Sequence, residues 1–552
     1  MKIKHFIYLI PALLFTTGCD LLDTRIDTQI MEKNLETNFQ YLFDMGYSPY
    51  ANLNSGFYHI DNNIAAPMSD EAEQTAASSN SQIFNNGSWG PYNNPDDTYG
   101  RCYAGIRAAH IFLDYSVDYT TKLALNRDTV SDGGYQYRRD VADIAFLRAE
   151  AQTLIAYYYF ELIKRYGAVP YVDKALSLDD ETDLPRIAYH EIVDKIVAKI
   201  DEAADYLQVN WKNYDSQRDG RFTKGAALAL KSRILLYAAS KRDNPDNDKE
   251  KWKRAALAAY DVIQLNQYSL ASNYRTLFLE SNSVTEAEII MSIRGGSSNE
   301  IEKANYPIGT PGGNSGVTPS QNLVSAYEYK SAPDPNNPYA NRDPRLEYSV
   351  VTNNSQWNGR TIRMWQGDDA EDAWDKTNAS KTGYYLKKFL IENLYLIQDE
   401  KRIHNWTLFR YAEILLNYAE AMNEAYGPDN DNGYGLTARQ AVNQIRSRQG
   451  VAMPPVEAAN DTEMRERIKH ERRIELAFEG HRFFDLLRWK DAEYALNQPL
   501  KGVRVAKQGE NFTYTEFTVE NRIFSAPKMY YYPIPQTEIN KSKNVLHQNE
   551  GW

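Results

Sequence analysis

The chain has 552 residues, a formal net charge of −12 and an apolar content of 42%, which is enough to build the core of a globular protein. The 62 basic residues are outnumbered by 74 acidic ones and form no cluster. We therefore expect the protein to bind neither nucleic acid nor an anionic membrane surface through its charge. Tyrosine is unusually frequent, with 41 residues. The length allows several domains or one large domain with long insertions.

The N-terminus has the pattern of an export signal. A basic start is followed by an apolar run from Phe6 to Phe15, which is too short for a permanent membrane anchor. Small residues stand directly before Cys19, as in a bacterial lipobox, although Thr16 replaces the usual leucine. We expect residues 1–18 to be a signal peptide, Cys19 to be lipidated and residues 19–32 to form a tether. The alternative is an ordinary signal peptide with an incidental cysteine.

Apolar residues at helical spacing dominate two parts of the chain. The predicted helices span residues 142–167, 189–207, 224–240, 250–266, 406–426, 436–448 and 461–490. Asn94, Pro95 and two acidic residues after them predict a further helix start. Helices in successive pairs, with small residues at their contacts, predict a mainly α fold, a tetratricopeptide-like superhelix.

Other parts of the chain are rich in Gly, Pro, Asn and Ser. The longest such loop, residues 295–316, follows a predicted strand at Glu288–Ile293. It is longer than the loops that only connect two elements in a compact domain. Its glycines precede no Gly-Lys-Ser/Thr sequence, so it is not a phosphate-binding loop. We expect one domain over residues 33–552 with two lobes. The helical lobe covers about 94–266 and 406–490, and the loop-rich lobe covers about 50–93, 288–405 and 491–552.

The densest group of charged residues lies at Ile468–Lys490, which reads as two helices with Gly480 as a left-handed cap between them. Glu471 and Glu475, one helical turn apart, allow two interpretations. Retaining glycosidases hold two carboxyl groups roughly 5 Å apart. Nearby arginines would instead keep both acids ionised, which does not suit a general acid. We therefore favour a structural salt-bridge clamp, with Arg472, Arg473, Arg482 and Arg488 as its expected cations.

Several segments in order along the chain resemble the SusD/RagB family of outer-membrane lipoproteins. They are FLRAEAQTLIAYYYFELIKRYGAVPYV, GRFTKGAALALKSRILLY, NRDPRL, LFRYAEILLNYAEA, VNQIRSRQG, ERRIELAFEGHRFFDLLRW, YPIPQTEIN and HQNEGW. The resemblance implies a surface-exposed outer-membrane lipoprotein whose helical lobe packs against a SusC-like TonB-dependent transporter. It implies that the other lobe binds a nutrient, most often a glycan, and it supplies no catalytic residue.

Sugars are bound by stacking on aromatic rings, with planar polar side chains nearby, and such sites are formed by loops on a rigid scaffold. In the family, the loop before the second helix and the loops after the third helix pair supply most ligand contacts. The candidate ligand-binding residues here are Trp89, Asp70, Tyr92, Arg294, Tyr306, Trp357 and Trp365. Glu71 and Trp374 are further candidates, and Tyr395 belongs either to the platform or to the core. Trp89 is the first choice, with a ring folded into the core as its alternative.

Catalytic patterns are weak in this sequence. The eight histidines show no metal-ligand spacing, and no G-x-S-x-G segment is present. We expect neither a cofactor nor a metal ion. Three functions remain open: a non-catalytic glycan-binding lipoprotein that serves a SusC-like transporter, a binder of peptides or another nutrient in the same kind of complex, and a polysaccharide-degrading enzyme.

Overall fold

The computed structural model describes residues 38–125, 127–130, 133–177 and 179–552. The predicted signal peptide, the predicted lipidation at Cys19 and the tether to residue 32 lie outside the described residues. None of the helices within these ranges combines the length and the apolar character needed to cross a bilayer.

Helices account for most of the regular structure. The α-helices are α1 Gln40–Tyr47, α2 Ser81–Asn85, α3 Tyr99–Tyr115, α4 Tyr119–Ala124, α5 Gly133–Tyr166, α6 Tyr189–Ala204, α7 Trp211–Tyr214, α8 Lys224–Ala239, α9 Lys249–Gln264, α10 Asn282–Thr285, α11 Glu300–Asn305, α12 Gln321–Ala326, α13 Arg345–Ser349, α14 Tyr411–Tyr426, α15 Ala438–Arg446, α16 Asp461–Glu475, α17 Arg482–Trp489, α18 Ala492–Ala495 and α19 Gln536–Lys541. Short 3₁₀ turns occupy Ser48–Asn52, Gly56–Tyr58, Ala66–Met68, Ser216–Arg218, Leu396–Gln398 and Lys528–Tyr530.

The strands of the described residues pair two by two, all antiparallel, and all but β13 and β14 are short. They are β1 Ala72–Gln74, β2 Val169–Pro170, β3 Arg186–Ile187, β4 Ile289–Ile293, β5 Ser297–Ser298, β6 Val317–Pro319, β7 Val350–Val351, β8 Gln356–Trp357, β9 Arg360–Thr361, β10 Tyr385–Leu386, β11 Arg402–Ile403, β12 Trp406–Arg410, β13 Leu500–Gln508 and β14 Asn511–Glu520. The pairs are β1–β6, β2–β3, β4–β12, β5–β11, β7–β10, β8–β9 and β13–β14.

The long helices stack in chain order, as in a tetratricopeptide-like superhelix. Helix α5 packs against α3 and α6, α8 packs against α6 and α9, and α14 packs against α9, α15 and α16. Helix α8 is buried on nearly all sides because alanines along it let neighbouring helices approach closely. Thr223 caps it by accepting a hydrogen bond from the Ala226 N–H at 3.1 Å. The predicted fold class is confirmed.

Two predicted element boundaries differ from the structure. Residues Trp406–Arg410, predicted as the start of a helix, form β12, because their alternating aromatic and β-branched side chains pair with β4. Helix α3 begins at Tyr99 with Thr98 as its N-cap residue, so Asn94 to Asp97 form a turn before the helix instead of capping it. The carboxylate of Asp97 still serves the helix start by accepting the Tyr99 N–H at 3.0 Å.

The loop-rich part is inserted between two helices that remain neighbours. Helix α9 ends at Gln264 and α14 begins at Tyr411, yet the two pack directly against each other. The antiparallel pair β4–β12 closes the base of the insertion. Pair β1–β6 joins the insertion to the earlier loop block around Glu73. Loops that are far apart in sequence are therefore held on one scaffold.

The buried hydrophobic residues of the described chain form two clusters. The larger cluster lies among the superhelical helices, and the smaller one lies under the loops, around Tyr306, Trp357, Tyr385 and Leu390. The hairpin β13–β14 was not predicted from the sequence. Its Val503 and Val505 join the loop cluster, and they alternate with exposed residues as expected for a half-covered strand.

Between α16 and α17 the predicted clamp is present, but with other arginines. Glu475 pairs with Arg410 at 2.7 Å, Arg345 at 2.8 Å and Arg448 at 2.9 Å. Glu471 joins Arg345 to Arg446. We call these residues, with Glu288 and Glu479, which also bind Arg410, the buried ionic cluster. Burial would raise the pKa of Glu475, but Arg448, Arg410 and Arg345 outweigh burial and hold it far below its usual range.

The expected cations of the clamp have other partners. Arg472 pairs with Asp485, Arg488 pairs with Glu420 and Asp485, and Arg473 and Arg482 both pair with Asp70. The prediction of these four partners was wrong because sequence proximity on α16 and α17 does not determine which face each side chain occupies. The cations that reach Glu475 come from three separate segments of the chain.

Candidate functional site

Trp89, the first candidate, lies in the core of the loop that precedes α3. Its side chain is 3% exposed, stacks on Phe84 with ring centroids 4.8 Å apart, and meets Trp552 at 4.6 Å and Tyr532 at 5.1 Å. A ring enclosed by three aromatic neighbours offers no face to a sugar. The expected platform role of Trp89 is therefore wrong, and its alternative, a loop ring folded into the core, describes its position.

Asp70 and Glu71 are adjacent in sequence but have opposite electrostatic environments. Asp70 accepts hydrogen bonds from Arg473 and Arg482 at 2.8 Å each, and these guanidinium groups outweigh burial and lower its pKa. Among the described residues, the Glu71 carboxylate accepts a hydrogen bond only from the Phe478 N–H, at 3.3 Å. Burial, followed by the charge of Asp70, raises its pKa to about 8. Asp70 thus connects its loop to α16 and α17, and its carboxylate is used in these structural ion pairs.

Arg294 lines a cleft of about 160 Å³ between β4 and the segment that precedes α8, and none of the other candidates lines this cleft. Its guanidinium group pairs with Asp219 at 2.8 Å. Gly220, with a φ of +101°, lies against the same side chain, and a Cβ there would approach the Arg294 Nε to 2.9 Å. Arg294 is exposed in this position.

Tyr306 and Trp357 come together, but beneath the surface. Both are fully buried, with ring centroids 5.8 Å apart in an edge-to-face arrangement. The Tyr306 hydroxyl donates to the carbonyl of Ile391, and the Ile391 N–H donates to Glu302 at 3.1 Å. Neither ring can stack on a ligand in this position, so their expected direct role is wrong. They instead hold the chain that leads to Tyr395.

Trp365 and Trp374 lie against the hairpin β13–β14. Trp365 is buried, with Phe512 at 5.3 Å and the Lys507 ammonium 4.4 Å above its ring. Trp374 is half-buried under the guanidinium group of Arg504 at 4.7 Å. Both indole rings therefore pack against the hairpin. The platform role expected for Trp365 is wrong, because its ring is buried in this contact.

The exposed rings among the candidates are tyrosines. Tyr92 is 83% exposed in the loop whose Pro91 carbonyl accepts the Gln536 N–H at 3.0 Å, next to the C-terminal segment. Tyr395 is 67% exposed, and Ile397 beside it is 75% exposed. Of the two positions expected for Tyr395, the platform or the core, the structure shows an exposed ring at the surface.

The turn that carries Tyr395 is held from several sides. We define the Tyr395 surface as Ile391–Ile403 together with the segments packed against it, Asn299–Gly316 and Gln356–Thr361. The Tyr395 N–H donates to Glu400 at 3.0 Å, and the Asn393 N–H donates to Asn358 at 2.7 Å. The amide of Asn299 donates to the Glu400 carbonyl at 2.8 Å. An exposed ring on so constrained a turn requires little ordering when a ligand binds.

Charged and amide side chains belong to the same surface. Lys303 pairs with Asp399 at 3.1 Å, and Arg360 pairs with Asp372 while it also donates to Thr310 at 3.2 Å. The Tyr395 N–H keeps the pKa of Glu400 below its usual range, and hydrogen bonds from Lys401 and Lys303 do the same for Asp399. These carboxylates are ionised at neutral pH, so they accept hydrogen bonds from hydroxyl groups and do not serve as general acids.

Sequence reasoning missed Glu400, Asn358 and Asn393 as members of this surface. Their signal is weak, because single polar residues in Asn-rich loops are common and only the pairing of distant turns brings these three together. Within the described ranges, no group of three or more His, Cys, Asp or Glu side chains is placed to hold a metal ion.

Two family models match the chain. One, described as the SusD family, matches residues 278–552, and the other, described as starch-binding associating with outer membrane, matches residues 20–236. A SusD-like protein of Formosa agariphila is 29% identical over 373 residues, which cover 64% of this chain and 68% of that relative.

Solved structures resemble this one over nearly the whole chain. A SusD-like protein of Bacteroides fragilis has a TM-score of 0.76 at 26% identity, covering 94% of this chain and 98% of that one. A SusD-like carbohydrate binding protein of the same species has a TM-score of 0.75 at 24% identity, covering 93% and 100%. A laminarin binding SusD-like protein has a TM-score of 0.65 at 22% identity, covering 93% and 99%. The last two share the fold alone at such identities.

Proposed function

The chain belongs to the SusD family, and from this premise we propose that it is a non-catalytic glycan-binding lipoprotein of the cell surface. It binds an oligosaccharide or polysaccharide on its loop-rich lobe and delivers it to a SusC-like TonB-dependent transporter in the outer membrane. Cys19 carries the lipid anchor in this proposal. A carbohydrate ligand is supported by the family model described as starch-binding and by the similar proteins described as carbohydrate binding and laminarin binding.

The Tyr395 surface is the observation that carries the proposed glycan site. It combines a 67% exposed ring with ionised carboxylates and amides on turns that are already ordered. The apolar face of a sugar stacks on such a ring while its hydroxyl groups donate to carboxylates and accept from amides. The buried pair Tyr306 and Trp357 supports the proposal indirectly, because it fixes the backbone of the turn from below.

Affinity gel electrophoresis with a panel of soluble polysaccharides tests this function. We expect at least one polysaccharide to retard the wild-type protein, and Tyr395→Ala to weaken the retardation about tenfold, the effect of truncating a central aromatic anchor. Tyr206→Ala is the matched control, because Tyr206 is 63% exposed at the end of α6 in the helical lobe. That control should behave as wild type.

The same protein samples separate the alternatives. Retention by peptides with no retardation by any glycan would replace the proposal with a peptide-binding function. Release of new reducing ends from a retarding polysaccharide would replace it with an enzyme. Equal retardation of wild type and Tyr395→Ala would place the glycan elsewhere on the molecule, and Tyr92→Ala then tests the second exposed candidate ring.

A further inference from the structure

A cavity of about 100 Å³ lies under the start of α17, apart from the Tyr395 surface. Its walls come from α3, α5 and α8, from the 3₁₀ turns near Gly56 and Ala66, from β12, and from residues 480–484. A water molecule needs roughly 10–15 Å³ of such space, so the cavity has room for a group larger than one water molecule. Half-buried Asn54 and Arg101 stand among the lining residues on the outer side.

Basic side chains converge on this cavity. Those that line it are Arg101, Lys164, Arg165, Arg233 and Arg482. Four of the five have carboxylate partners: Lys164 and Arg165 bind Glu161, Arg233 binds Glu413, and Arg482 binds Asp70. The side chain of Arg101 makes neither an ion pair nor a hydrogen bond with any residue in the described part of the chain, so its charge remains available to a ligand.

Two buried tyrosines add donors without partners. Tyr157 is 6% exposed and Tyr237 is 2% exposed, and both line the cavity. Neither hydroxyl group has a hydrogen-bond partner among the described residues. Because both residues line the cavity, an oxygen atom of a ligand there can accept a hydrogen bond from each hydroxyl group.

The acidic residues of the lining do not cancel this positive character. Glu161 is paired with Lys164 and Arg165 at 2.6 Å each, and Glu479 is paired with Arg410 and Lys388 at 2.7 Å each. Glu71 is the remaining acid. Burial and the neighbouring charge of Asp70 raise its pKa to about 8, so most of it is protonated at neutral pH and donates instead of repelling an anion.

The start of α17 adds a further favourable feature. Its N-cap residue, His481, provides no side-chain acceptor for the first N–H groups of the helix, and residues 480–484 line the cavity. The N-terminus of a helix favours negative charge through these N–H groups and the helix dipole. It acts here together with Arg101 and the two tyrosine hydroxyl groups.

We propose that this cavity is a binding site for an oxyanion, namely a sulfate, phosphate or carboxylate group. Arg101 supplies the uncompensated charge, and the hydroxyl groups of Tyr157 and Tyr237 supply directional hydrogen bonds. The group comes either from a free anion or from an acidic substituent on a glycan, since the two present the same oxygen atoms. The site does not depend on glycan binding at the Tyr395 surface.

Isothermal titration of the folded protein with sodium sulfate tests the proposal, with chloride adjusted to keep the ionic strength constant. We expect saturable sulfate binding that Arg101→Gln weakens about tenfold or more, as expected for the loss of a hydrogen bond to a charged group. Tyr157→Phe, which removes one oxygen atom, should weaken it less. Arg107→Gln is the control on the same helix, because the exposed Arg107 side chain binds the Leu176 carbonyl outside the cavity.

A second arm distinguishes the source of the group. A sulfated oligosaccharide is titrated beside its desulfated form into wild type and Arg101→Gln. Binding of free sulfate assigns the cavity to a free anion, whereas Arg101-dependent binding of only the sulfated oligosaccharide assigns it to a glycan substituent. Binding that is equal in wild type and in both cavity variants, or absent in both arms, overturns the proposal. Circular dichroism confirms that each variant is folded.

Discussion

The buried ionic cluster and the Tyr395 surface both join charged side chains from distant parts of the chain, in opposite surroundings. In the cluster, Glu475 and its partners Arg345, Arg410 and Arg448 are fully buried, and every carboxylate oxygen of Glu475 has a guanidinium partner. At the Tyr395 surface, the ring and the carboxylate of Asp399 are exposed to solvent, and the carboxylate of Glu400 is partly exposed. The Glu475 carboxylate is therefore saturated within the protein, whereas the carboxylates of the Tyr395 surface have unused hydrogen-bonding capacity.

This difference shows where a ligand can act. A carboxylate that is saturated by buried arginines neither accepts a further hydrogen bond nor changes its protonation near neutral pH. A carboxylate on an ordered surface turn can accept a hydroxyl group of a ligand. The most conspicuous chemistry of the sequence therefore belongs to the scaffold, and the proposed binding chemistry belongs to inconspicuous residues on loops.

The largest expected effect comes from breaking the ionic cluster. Glu475→Gln leaves three buried arginines without their shared anion, and we expect it to lower the unfolding free energy by about 4 kcal/mol. Glycan retardation of the folded fraction should stay as in wild type. Urea unfolding followed by tryptophan fluorescence measures the first quantity. The control is Glu466→Gln, an exposed residue on the same helix, and a similar loss in that variant would contradict the account.

Trp89 shares one property with each region: it belongs to a loop, as Tyr395 does, and it is buried, as the ionic cluster is. We expect Trp89→Ala to lower the unfolding free energy by about 3 kcal/mol, because it empties an aromatic core site. Retardation of the folded protein by glycans should not change, in contrast to Tyr395→Ala. Tyr92→Ala, in the same loop but exposed, is the stability control. Selective loss of glycan binding in fully stable Trp89→Ala would restore the original expectation.

The superhelix could be predicted from the sequence because its signals are local. Apolar residues at helical spacing and small residues at contacts recur over each helix, and the helices pack on their neighbours in the chain. Local signals were insufficient at Trp406–Arg410, which the sequence pattern predicted as helix and which forms a strand because it pairs with β4. They were also insufficient for hairpin β13–β14, whose inner valines pack on a core that forms from remote loops.

The candidate site could be predicted only to the level of loops. The segments that hold Tyr306 and Trp357 do adjoin the Tyr395 surface, but their rings lie beneath it. Burial of a loop aromatic depends on partners such as Tyr532 and Trp552 around Trp89, which are more than four hundred residues away in the chain. Sequence spacing contains no information on such contacts, so composition indicated an aromatic platform without indicating which ring is exposed.

The smallest expected effect distinguishes two buried carboxylates of the same scaffold, Glu475 and Glu71. The pKa of Glu71 rises from an ordinary 4.5 to about 8 on folding. Between these values the folded protein retains a proton that the unfolded chain releases, so this group lowers stability progressively as the pH rises from about 4.5 to 8. Replacing it with a neutral isostere should therefore stabilise the protein, which is the opposite of the effect at Glu475.

We expect Glu71→Gln to raise the unfolding free energy by an amount on the order of 1 kcal/mol near pH 6, with a larger gain at pH 8. Near pH 4 the two proteins should have equal stability, because Glu71 is then protonated in both the folded and the unfolded chain. Urea unfolding at several pH values measures the difference. A loss of stability at pH 8 would mean that the ionised carboxylate is required by Arg482 or Arg473, and Glu71 would then belong to the same class of saturated acids as Glu475.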